Sequence, residues 1–111
     1  MLPEDRIRLQ HMLDATQTAI GFLQARDRSD LDTDTMLLFA TVRALEVIGE
    51  AAGKVSDDTR LVAPQIPWRA MVGMRNRLIH GYFDVDTEVV WRTVKNELPE
   101  LESAVQRALQ A

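Results

Sequence analysis

The densest group of reactive side chains is Arg75-Asn76-Arg77-Leu78-Ile79-His80-Gly81-Tyr82, which brings guanidinium groups, an imidazole and a phenol into one short stretch. Arginine stays charged throughout the physiological range and offers a planar fork of donors that matches a phosphate. Histidine, with an intrinsic pKa of ~6.5, gives or takes a proton near neutrality. Together these are the parts that cleavage of a phosphodiester needs. A fixed cation stabilises the pentacoordinate phosphorane, and an acid or base works at the ribose 2′-OH or the leaving 5′-oxygen. Arg60 and Arg69 extend the cationic stretch, and no acidic residue occurs between Asp58 and Asp84. Arg69 and Arg77 are the candidates for further phosphate contacts. The formal charge of the whole chain is −4, which argues against a protein that coats nucleic acid through its overall field and for an anion held locally.

The sequence PWRAMVGMRNRLIH predicts a helix from Pro67 to His80 that Gly81 stops. On an ideal helix Arg75 and His80 stand about 140° apart. The stripe that contains His80 is instead Arg69, Gly73, Asn76 and His80, with Asn76 one turn below the imidazole and able to orient it. Arg75 then joins the site either by curling around the helix or by meeting His80 in a cleft between two subunits, and a homodimer is the expected solution. A histidine at a helix end also suits the helix dipole, and a tyrosine beside it can simply pack, so these residues alone leave a structural role open.

The rest of the chain reads as the helices that must carry this stretch. From Pro3 to about Arg26, Leu9, Leu13, Thr16, Ile20 and Leu23 share one helical face. Asp30, Asp32 and Asp34 offer caps for a second helix from about Asp32 to Val55, whose apolar residues run around much of its circumference. Arg43, Glu46, Glu50 and Lys54 form a charged stripe along it, either a solvated edge or the wall of a polar cleft. Ser56 caps a short piece, and Asp86 caps a helix burying Val90, Val94 and Leu98. Pro99 bends or restarts the chain before a last helix bearing Leu101, Val105 and Leu109. The expected fold is all-α, an up-and-down helical bundle of about four main helices in a single domain over residues 1–111.

Composition narrows the chemistry. Apolar residues make up 46% and charged residues 27% of the 111-residue chain, the balance of a folded globular domain. There is no cysteine, hence no thiolate nucleophile or disulfide. No apolar run approaches the ~20 residues that span a bilayer, and a cytoplasmic location without membrane attachment is expected. Bundles that hold two metals use Glu-x-x-His pairs. Neither His11 nor His80 has a glutamate three residues before it, so neither a metal nor another cofactor is expected.

Arg75, the four residues Asn76 to Ile79, and His80-Gly81-Tyr82 together resemble the Arg, four to six residues, His, any residue, Tyr signature of the HEPN domains. The likeness is closest to the HepT-type toxins. It extends through RALEVIGEAAGKVS, IPWRAMVGMRNRLIHGYF and DTEVVWRTVKNELPEL, in that order. What it implies is a homodimeric, metal-independent endoribonuclease toxin that cuts an RNA substrate by 2′-OH attack where two motifs meet, with Arg75, Asn76, His80 and Tyr82 at the site. It also implies a cognate minimal nucleotidyltransferase antitoxin, in some members acting by AMP transfer to the motif tyrosine, here Tyr82. The rival reading is a non-enzymatic helical module that binds such a partner or nucleic acid.

Overall fold

The computed structural model describes residues 1–81 and 84–111, so Tyr82 and Phe83 lie outside the described residues. Helix α1 (Pro3–Leu23) opens on a proline, whose fixed φ suits a first turn, followed by Glu4 and Asp5 at the positive end of the helix dipole. Its expected face is the buried one: Leu9, Leu13, Thr16 and Leu23 are inside, and Ile20 packs against the core. The helix stops short of Arg26. Ala25 takes a left-handed φ of 59°, and Lys95 Nζ donates to the carbonyl of Leu23 at 2.8 Å, satisfying one of the terminal acceptors.

The second predicted helix is two. Asp34 leaves helical geometry between α2 (Asp30–Thr33) and α3 (Thr35–Gly53), and its side chain accepts from Leu37 N at 3.0 Å. Of the three candidate aspartates, this one caps the long helix. Helix α3 is the spine of the bundle, packed on α1 and on the short helices α5 (Trp68–Val72) and α6 (Met74–Leu78). Between them comes α4 (Asp57–Val62), capped by Ser56 Oγ as its sequence predicts.

A close approach fixes how α5 and α6 sit. A Cβ added at Gly49 of α3 would stand 2.6 Å from the Met71 carbonyl oxygen and 3.3 Å from Met74 Cβ. Gly49→Ala gains up to ~1 kcal/mol of helix propensity, but the obstacle is backbone, so overpacking wins. A net loss of about 2 kcal/mol is expected in urea unfolding. Gly53→Ala is the control, since a Cβ there meets nothing within 4 Å.

The segment around the motif departs from the expected continuous helix. Gly73, with ψ near 9°, separates α5 from α6, and α6 ends at Leu78. Ile79–His80 forms strand β1, paired antiparallel with β2 (Asp84–Val85) in the register Ile79↔Val85 and His80↔Asp84. Gly81 does take a positive φ, 78°, but it follows a strand residue and does not close a helix. The stripe Arg69, Gly73, Asn76, His80 therefore does not exist, and the helical angle between Arg75 and His80 does not apply. The cause is local: two β-ladder pairs and a bond from Asp86 N to Leu78 O at 2.7 Å take over the backbone groups that another helical turn would have used.

Helix α7 (Thr87–Arg92) starts at Asp86, whose Oδ1 accepts from Val89 N at 3.1 Å. It runs through a π turn, Thr93–Glu97, into α8 (Leu98–Gln110). Pro99 lacks an N–H and crowds the carbonyl four residues before it. The widened turn absorbs that conflict without breaking the rod. Val90, Val94, Leu98, Leu101 and Val105 are buried along its length. The fold is all-helical apart from the short ladder, as the sequence predicts.

Candidate functional site

Short α6 and strand β1 carry the motif, and Arg75, Arg77 and His80 each meet a different carboxylate. Arg75 is 61% exposed, with Nε 3.5 Å from Oε2 of Glu46, which is 21% exposed on α3. The charged stripe of α3 thus borders the motif through Glu46, while Arg43 and Glu50 pair with each other at 3.0 Å. Nothing in the described residues hydrogen-bonds the Arg75 guanidinium, so its fork is open to a second anion.

His80 is also 61% exposed, and its Nε2 lies 3.6 Å from Oδ2 of Asp86. The Asp86 carboxyl is held below its ordinary value, first by the backbone N–H of Val89 and also by His80, against partial burial. Asp86 therefore stays ionised beside the imidazole. Asn76 and Arg69 are exposed. No hydrogen bond joins Asn76 to His80 among the described residues, and the carboxylate beside the imidazole is that of Asp86.

Arg77 turns away from the other two. Its Nη2 donates to Glu97 Oε2 at 2.6 Å, and its buried Nη1 has no partner among the described residues. With Thr93 and Arg92 it lines a cavity of about 290 Å³ beside the π turn. Arg60 is built into the scaffold: Nη2 donates to Ala52 O at 2.9 Å and the guanidinium lies 5.6 Å from the Trp68 ring centre. Tyr82 falls outside the described residues. Sequence reasoning missed Glu46, Asp86 and Glu97 as partners of the motif. Asp86 carried a signal, since it lies six residues after His80, but its role as a helix cap accounted for it fully.

An exposed guanidinium and an exposed imidazole, each beside one carboxylate, can bind a phosphate and move a proton next to it. Residues 12–108 match the family described as Ribonuclease HepT-like. The chain belongs to the HepT-like ribonuclease family. A probable ribonuclease HepT of Thermococcus cleftensis is 38% identical over 99 residues, covering 89% of this chain and 90% of its own. A candidate RNase of Methanocaldococcus jannaschii is 37% identical over 98 residues, 88% and 90% of the two chains. Another, of Caldanaerobacter subterraneus subsp. tengcongensis, is 37% identical over 102 residues, 92% and 91%. No solved structure matches at a significant level. The likeness to HepT proteins therefore runs over residues 12–108, most of the bundle, and includes the stretch from Arg75 to His80. No helix among the described residues is long and apolar enough to cross a membrane.

Proposed function

We propose that this HepT-like chain is a metal-independent endoribonuclease, the toxin of a toxin–antitoxin pair, acting in the cytoplasm on RNA at a cleft between two copies. The observation that carries this reading is the pair of exposed groups, Arg75 and His80, at the two ends of one short segment in a member of a ribonuclease family. The ribose 2′-oxygen attacks phosphorus while its proton passes to a neutral imidazole. The bond from phosphorus to the 5′-oxygen breaks, and that oxygen takes a proton from the protonated His80 of the second copy. The products are a 2′,3′-cyclic phosphate and a 5′-hydroxyl. Arg75 stabilises the added charge on the phosphorane, Asn76 adds a neutral donor beside it, and Arg69 holds a flanking phosphate, while Arg77, turned to Glu97, does not share that role.

The face of α3 supports the homodimer. Phe39, Arg43, Glu46, Glu50 and Met36 fall within about 80° of the helix circumference, and Met36 and Phe39 are 83% and 65% exposed. This apolar patch continues into the stripe that holds Arg75, so a second copy that covers it brings two motifs together. Tyr82, two residues past His80, is then the acceptor through which a cognate nucleotidyltransferase silences the site, placing an AMP phosphate where the scissile phosphate would bind.

Product chemistry tests the reaction. The described residues bring together no group of three or more His, Asp or Glu side chains that could hold a metal ion, and the purified protein should cut RNA in excess EDTA. Mass analysis of the fragments should find cyclic phosphate and 5′-hydroxyl ends. Fragments with 5′-phosphates that form only with magnesium would overturn the mechanism.

A further inference from the structure

We infer that Asp86 is the positioning residue of His80, holding Nε2–H so that Nδ1 is the nitrogen that exchanges protons with RNA. The inference rests on the ribonuclease reading for the identity of the substrate, but not for the state of the ring.

A neutral imidazole carries its one proton on either nitrogen, and an ionised carboxylate only accepts. The nitrogen facing Asp86 is Nε2, at 3.6 Å from Oδ2. A proton on Nε2 meets the carboxylate with a positive dipole, whereas a proton on Nδ1 would leave the Nε2 lone pair facing negative charge. The first tautomer is favoured, and it leaves the lone pair of Nδ1 on the exposed side of a ring that is 61% accessible.

Asp86 is suited to this task because it is pinned twice. Its backbone N–H donates to Leu78 O at 2.7 Å, one residue before β1. Its Oδ1 accepts from Val89 N at 3.1 Å. One oxygen caps α7 while the other remains for His80, so the imidazole is referenced to the start of a helix. The neighbouring charges do not compete. Asp84 stands opposite His80 in the ladder without an ion pair to it, Arg77 is turned to Glu97, and Glu88 is engaged by Arg28 and Arg92. The carboxyl of Asp86 is held below its ordinary value, first by the Val89 N–H, which favours its ionised, accepting form.

The test substitutes Asp86→Ser, because serine caps a helix about as well as aspartate but is too short to reach the ring. Long-range ¹H–¹⁵N spectra of the full chain labelled at histidine distinguish the two tautomers, with His11 as an exposed internal reference. Wild-type neutral His80 should show protonated Nε2 almost alone. Asp86→Ser should move it to the mixture shown by His11, with helix content unchanged, and Asp84→Ser should leave it as in wild type. RNA cleavage by Asp86→Ser should fall about tenfold in kcat with little change in KM, a fraction of the 10²–10⁴ that a general base contributes. Protonated Nδ1 in wild type, or a ring spectrum unmoved by Asp86→Ser, would overturn the inference. A wild type that cuts no RNA while its tautomer shifts on substitution would overturn the ribonuclease reading and support the pairing.

Discussion

His80→Ala and Arg75→Ala will each lower RNA cleavage at least ~100-fold, the loss expected when a general acid or base, or the main stabiliser of transition-state charge, is removed. The comparison is clean because both side chains are 61% exposed and neither supports the core. Their removal should leave the melting temperature within a degree or two, since surface changes usually stay within ±0.5 kcal/mol. Arg75→Lys separates charge from shape. It keeps the cation but loses the fork, and should recover only part of the rate. The measurement is initial cleavage of a labelled RNA in EDTA by proteins shown to be folded by circular dichroism. Wild-type cleavage by folded His80→Ala would dispose of the imidazole as the proton carrier.

Asp5→Ala will cost about 3 kcal/mol of stability, because three buried or half-buried donors lose a charged acceptor at once. Asp5 is 2% exposed. Its Oδ1 accepts from Ser56 N at 3.0 Å, and its Oδ2 from Ser56 Oγ at 2.6 Å and Thr59 Oγ1 at 2.7 Å. These bonds tie the first turn of α1 to the cap of α4. They hold the carboxyl below its ordinary value near 3.8, the Ser56 hydroxyl contributing most. A group whose folded value is depressed contributes stability that is complete above its unfolded value and lost as the pH falls through the folded one. The gap in unfolding free energy between wild type and Asp5→Asn should therefore be constant from about pH 8 to 5 and shrink below about pH 4. Asp86, depressed mainly by the Val89 N–H, lowers the stability of both proteins on acidification and cancels in the gap. A gap that instead widened on acidification would show that Asp5 is not the ionised acceptor.

Where the sequence was informative, the reason was periodicity or a cap with a single possible partner. Leu9, Leu13, Thr16 and Leu23 lie inside because their spacing allows α1 only one buried face. Ser56 and Asp86 cap because each is a short polar side chain whose oxygen reaches the backbone N–H three residues on. The break at Asp34, the end of α6 at Leu78 and the π turn before Pro99 were less legible. Each is settled by competition between nearly equivalent backbone conformations, and tertiary partners decide it. The motif followed the same division. Its residues could be picked out by type, but Glu46 is brought to it from a distant part of the chain by the packing of α3, and Asp86 by the fold-back of the ladder. Asn76 stands one turn below His80 only on a continuous helix, and the end of α6 at Leu78 removes that relation.

Arg6 Nη1 donates to the carbonyl of Leu109 at 2.8 Å, fastening the first turn of α1 to the last turn of α8. The two ends of the chain are thus neighbours, on helices that carry none of the motif. The order in which the chain visits its helices is therefore separable from the arrangement it reaches. A short linker could join Ala111 to Met1 and the backbone be opened at another exposed connection, with α3, α6 and the ladder reached in a different sequence but the same place. What holds Arg75 and His80 is geometric adjacency, and a circularly permuted chain has all of it.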